Sequence, residues 1–175
     1  MKILLIVPII FLLHGVCSAS YAQKVDARST TSASSTATLQ LNTFAEFTVT
    51  PVNASAFAFN STTSYESGIN RSSFSSFVVK SNMNWLLTIR ASGAFFAASG
   101  GGLSNTLPAG VISFKTNSES TYRTLTTTAQ TLRSGAAGGS SQPGNTFSID
   151  LRVAPGYLYN GGLYTLDLVY TLTTQ

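Results

Sequence analysis

From Thr36 onward the chain is a succession of short runs in which apolar and polar residues alternate, and it is this period of two that predicts its elements. Leu39 and Leu41 alternate first, Phe47 and Val49 lead up to Pro51, and "SAFAFN" puts Phe57 and Phe59 on one face. In "SSFVVKS" Phe77 and Val79 share a face opposite Val78 and Lys80. "NWLLTIRAS" is the clearest strand of the first half, with Trp85, Leu87, Ile89 and Ala91 inward and Thr88, Arg90 and Ser92 outward; Trp85 is the expected core anchor. "TFSIDLRVAPG" repeats the pattern with Phe147, Ile149, Leu151 and Val153 inward and Ser148, Asp150 and Arg152 outward. The closing "LYTLDLVYTLTTQ" sets Tyr164, Leu166, Leu168, Tyr170 and Leu172 on one face, as one long strand that needs a sheet to cover it.

The punctuation between these runs is Gly, Asn, Ser and Pro, the spacing of a sandwich or barrel. "VISFK" and "TYRTLTT" are expected to pair around a turn at Asn117 to Ser120, and "AQTLRSG" adds a short strand. The Gly100 to Gly102 run with Pro108 marks a long connection or a weak strand, and Ala136 to Asn145 is the loop richest in small residues. Nothing reads as a helix of ten residues or more. The expected fold is all-β: one immunoglobulin-like antiparallel β-sandwich of roughly seven to nine strands over residues 36 to 175.

Ahead of it, Met1-Lys2, the apolar run Ile3 to Leu13 and the small residues around Ser20-Tyr21-Ala22 have the layout of a secretory signal peptide over residues 1 to 22. The run is about half the ~20 residues that span a bilayer. Val16 before Cys17 is a poor fit to a lipidation signal, which wants a small residue there. Residues 23 to 35 are polar, small and aperiodic, and read as a flexible leader. Cleavage near Ala22 removes Cys17 and His14, the one Cys and the one His of the chain. A chain without them has no disulfide, no thiolate or Ser-His-Asp nucleophile and no His-ligated zinc.

Only 9% of residues are charged, and the net charge of +4 falls by one when Lys2 leaves. The basic residues are scattered singly, whereas nucleic-acid binding wants a basic stripe with aromatic platforms. Asp150 and Asp167 are the residues a glycosidase pair would use, but both face outward by pattern, as solvated charges on a sheet face do. Lys80 and Lys115 are unremarkable partners for a serine nucleophile, and the Gly run is followed by no Lys-Ser/Thr. No cofactor, metal site or catalytic residue is expected, and the chain is read as a non-enzyme. Tyr157, Tyr159 and Asn160 in "PGYLYNGG" offer rings and an amide for a sugar, or plug the end of the sandwich. Three glycosylation sequons, at Asn53, Asn60 and Asn70, are short and common matches in so Ser/Thr-rich a chain.

The signal-like start, the Ser/Thr/Gly-rich β domain, "SNMNWLLTIRAS" and the ending "NTFSIDLRVAPGYLYNGGLYTLDLVYTLTTQ" resemble secreted bacterial surface sandwiches of the spore-coat-U and fimbrial-subunit kind. The ending carries most of the likeness, with Gly162-Leu163-Tyr164 opening a strand that reaches Tyr170. The resemblance implies an exported structural or adhesive protein of the cell envelope or surface, a pilus or matrix subunit that assembles through strand edges. Its partners would be copies of itself, other surface proteins or glycans, and the closing strand, Tyr164 to Leu172, is the candidate assembly element. Thr174 stands where such subunits carry an aromatic, and residues 23 to 35 lack a donor arm's alternation. "TATLQLN" either serves as that arm or is the first strand. The alternative function is a carbohydrate-binding module using Tyr157, Tyr159 and Asn160.

Overall fold

The computed structural model describes residues 35–99 and 106–175, so the signal-like segment and most of the leader lie outside the described residues. Residues Gln40–Gln175 form one compact unit; the described residues before it, 35–39, are exposed and have no regular structure.

The unit is all-β and antiparallel. One sheet has the order β1 (Ala45–Pro51), β2 (Ile69–Ser81), β8 (Thr146–Val153), β5 (Ile112–Thr116), β6 (Arg123–Thr124). A second has the order β10 (Leu168–Thr174), β3 (Trp85–Ala91), β7 (Gln130–Gly135), and β4 (Ala97–Ser99) pairs with β9 (Leu163–Thr165) in a small third sheet. Side chains from the two larger sheets share one core: Phe77, Val79, Phe114, Phe147 and Ile149 from the first meet Trp85, Leu87, Ile89 and Leu132 from the second. The inward residues expected on "NWLLTIRAS" and "TFSIDLRV" are all buried. The expected pairing of "VISFK" with "TYRTLTT" is the β5–β6 contact, Phe114 opposite Arg123.

Register fixes which loops share an end. Ala45 lies opposite Ser81 and Thr174 opposite Trp85 at one end, the base. Ile69 and Ile112 both lie opposite Val153, and Leu168 opposite Ala91, at the other end, the tip. The tip carries a short helix, α1 (Thr62–Ser67), closed by a capping box between Ser61 and Ser64. It stops at Gly68, whose φ of +73° suits glycine and whose missing Cβ leaves room for the Val153 carbonyl.

The closing "LYTLDLVYTLTTQ" differs from the single strand its alternation predicts. It breaks at Leu166-Asp167, so that β9 joins β4 and β10 joins β3. "SAFAFN" is in no strand, and neither are Leu39 and Leu41, because alternation reports a possible face and not a partner.

Trp85 is fully buried and donates its indole N–H to Asn145 Oδ1 at 3.1 Å. Asn145, also fully buried, returns its amide protons to the carbonyls of Gly138 and Gly139, tying the 136–145 loop to the core. A Cβ at Gly135 would collide with the Trp85 ring, so this strand position accepts only glycine. At the β5–β6 turn, Glu119 accepts the Thr116 N–H at 2.7 Å and its hydroxyl at 3.0 Å, and pairs with Arg123 at 3.1 Å. Partial burial alone would raise the Glu119 pKa, but these bonds and the Arg123 charge outweigh it and hold the carboxyl below its usual range.

Asn145→Ala strands the Trp85 N–H and two carbonyls, and is expected to cost about 3 kcal/mol, read as a lower urea midpoint at unchanged slope. A variant with the wild-type midpoint would remove this bond from the core's support. For Glu119, a depressed folded-state pKa means stabilisation present above the ordinary glutamate range and lost as pH falls through the folded value. Glu119→Gln should therefore lower the melting temperature near neutral pH, with the difference vanishing in acid; a pH-independent difference would contradict the assignment.

Candidate functional site

The β10 strand is paired on one side only. Its register with β3 runs from Leu168 opposite Ala91 to Thr174 opposite Trp85, and among the described residues no strand is hydrogen-bonded to its other edge, although β1 approaches β10 without pairing with it. Ser92 N–H donates to the Asp167 carbonyl at 2.9 Å and Gln175 N–H to the Asn84 carbonyl at 2.8 Å. Pairing alternates in an antiparallel ladder, so the odd-numbered residues of β10 bond to β3 and the peptide groups of Leu168, Tyr170 and Leu172 face the open edge. The same three residues turn their side chains toward the core. An added strand would find backbone partners and an apolar surface at once.

Beside that edge lies a groove of about 880 Å³ between the sheets. Leu166, Leu168 and Tyr170 line one wall, Leu151 and Val153 of β8 contribute from the first sheet, and Phe59 comes from the irregular segment after β1. That segment is fixed by its own chemistry. Arg71 bonds the Ser55 hydroxyl and the Ala56 carbonyl and sits over the Phe57 ring at 4.8 Å, and Phe57 stacks on Phe74. Phe59, Tyr65 and Tyr157 continue as an aromatic row out to the tip. Tyr170 packs edge-on against Phe77 at 4.9 Å, and burial pushes its phenol above the ordinary tyrosine range, so the wall stays neutral.

The structure brings most of the sequence-derived assembly residues together here. Tyr164, Leu166, Leu168 and Tyr170 line the groove, while Leu172, nearer the base, packs against the core. Tyr164 donates its hydroxyl to the Asn160 carbonyl at 2.8 Å. Of the candidate sugar residues, Tyr157 and Asn160 are exposed and Tyr159 is half-buried; Tyr159 and Asn160 line the groove, and Tyr157 does not. The Tyr157 hydroxyl donates to the Thr62 carbonyl.

Asp150 is less solvated than its outward position suggests: it pairs with Lys115 directly across the β5–β8 ladder at 3.5 Å and accepts the Ser73 N–H at 2.9 Å. That bond holds Ser73 at a φ of +50°, inside the bulge that shifts the β2 register. Asp150 stands on the outer face of the first sheet and Asp167 at the entry to β10, on a different sheet. Lys80 pairs with exposed Glu46. The described residues contain no group of three or more metal-ligating side chains, and no helix among them is long and apolar enough to cross a membrane.

The groove itself was not visible to alternation. Phe57 and Phe59 look like half of a strand in sequence, and only the third dimension shows them walling a cleft. No family model matches the chain, and no curated protein is significantly similar to it.

Because β10 supplies half of the neighbours of β3, a chain ending at Asp167 is expected to show no cooperative melt and no native near-ultraviolet signal. A soluble truncation with a sharp transition would mean the three-stranded sheet does not need it.

Proposed function

We propose that this chain is an exported structural protein of the bacterial envelope or surface, which assembles with its own copies by adding a strand to the open edge of β10. The observation that carries the reading is the coincidence of an unpaired edge with an apolar groove beneath it. Soluble proteins usually blunt such edges with charge, proline or a bulge. β10 has no charged residue and no proline from Leu168 to Thr174.

The donor is the segment 36–42, "TATLQLN". Ala37, Leu39 and Leu41 alternate with polar residues, and Leu39 and Leu41 are 81% and 79% exposed. Large alternating apolar side chains held in water suit β-augmentation, in which the backbone supplies affinity and side-chain pockets supply selectivity. Export rests on the signal-like residues 1 to 22. The lack of a clustered metal, thiol or acid-base site among the described residues leaves the groove as the feature with most to offer a partner.

The test is the mass of the protein by light scattering across a concentration series, with the Leu39→Asp/Leu41→Asp double variant alongside. Wild type is expected to grow into oligomers, and the variant to associate roughly a hundredfold more weakly, while still binding a synthetic 36–42 peptide. A wild type that stays monomeric at every concentration and ignores the peptide would overturn the reading.

A further inference from the structure

Resting on that reading, the geometry points to a second contact between copies: the exposed apolar tip of one chain, Tyr157, Leu158 and Leu163, packs against the base of the next, Phe44 and Met83. The argument begins with direction. β10 runs from the tip, where Leu168 lies opposite Ala91, to the base, where Thr174 lies opposite Trp85. Every strand pair among the described residues is antiparallel. An added strand of the same sense runs from base to tip, so it leaves the groove at the tip with Asn42 last.

The donor's own body then follows at once. Phe44 is bonded to Asn82 in both directions, its N–H to Asn82 Oδ1 at 2.8 Å and its carbonyl to the Asn82 N–H at 3.0 Å, which places it at the base beside Met83. Only Asn42 and Thr43 lie between Leu41 and Phe44, and three residue steps reach at most roughly 10 Å. A donor with Leu41 seated in the groove therefore has its base held against the acceptor's tip. A parallel arm would instead bring two bases together.

Both surfaces are unusually apolar for water-facing ends. Leu158 is 88% exposed, Tyr157 61% and Leu163 60% at the tip; Phe44 is 52% exposed and Met83 39% at the base. The tip patch is continuous with the groove, since Leu163 lines it and Tyr157 stacks on Tyr65, which lines it too. The contact is head-to-tail, so each copy uses two different surfaces and the chain of copies does not close on itself by two-fold symmetry.

The experiment uses the full chain with two readouts, affinity for the synthetic 36–42 peptide and self-association by light scattering. Leu158→Asp alters a side chain that holds nothing in place. It should weaken self-association about tenfold or more and leave peptide affinity within about twofold of wild type. Met83→Asp should act the same way from the other side, and Leu158→Lys mixed with Met83→Asp should associate more tightly than either alone. Unchanged self-association in both Asp variants, with the peptide still bound, would overturn the tip-to-base contact and leave strand addition standing. Equal losses in both readouts would also overturn it, by placing Leu158 in the groove's own binding. No peptide binding to wild type would remove strand addition, and this contact with it.

Discussion

Three strands face five. The first sheet offers a wide apolar surface to β10, β3 and β7, and beside β10 the two layers enclose a groove instead of a filled seam. Buried aliphatic side chains are worth about 1.5–3 kcal/mol each when removed from water, and the groove leaves part of that gain uncollected. Much of the local structure around β10 can be understood as partial cover. The unpaired segment carrying Phe57 and Phe59 lies along the cleft, and the β4–β9 pair closes part of it from the tip. Neither completes the sheet, and the open edge remains.

Where cover is complete, polar groups enter the core only with partners. Asn145 is fully buried because the Trp85 indole and two glycine carbonyls satisfy its amide, and the loop it anchors stays close without a hydrophobic plug of its own. The outer face of the first sheet follows the same logic more loosely. Lys115 and Asp150 meet across a ladder with side chains largely shielded, and the second oxygen of Asp150 is committed to the backbone of the bulge. The bulge re-aims β2 so that its two halves pair with β8 in different registers.

Period-two alternation was enough to read the all-β class, the core face of β3 and β8 and the anchor role of Trp85, because burial on one side of a pleat writes itself directly into sequence. It also gathered Tyr164, Leu166, Leu168 and Tyr170 onto one surface. It did not separate β9 from β10, since Leu166 and Asp167 keep the alternation while the chain changes sheets. Nor could it tell that Phe57 and Phe59 have no strand partner, or that Leu39 and Leu41 stay in water; pairing is a long-range property that a local pattern does not encode. Asp150 looked solvated because its partner Lys115 is thirty-five positions away in the chain.

The pairing of β3 with β10 also sets a timetable. Ala91 meets Leu168 and Trp85 meets Thr174, partners about eighty residues further along the chain. A polypeptide emerging in order can pair β3 with β7 once residue 135 is made, but one edge of β3 waits for β10. Closing so long a loop costs entropy before any contact repays it. High contact order of this kind makes for slow folding, and keeps the nascent chain open to chaperones until β10 is made.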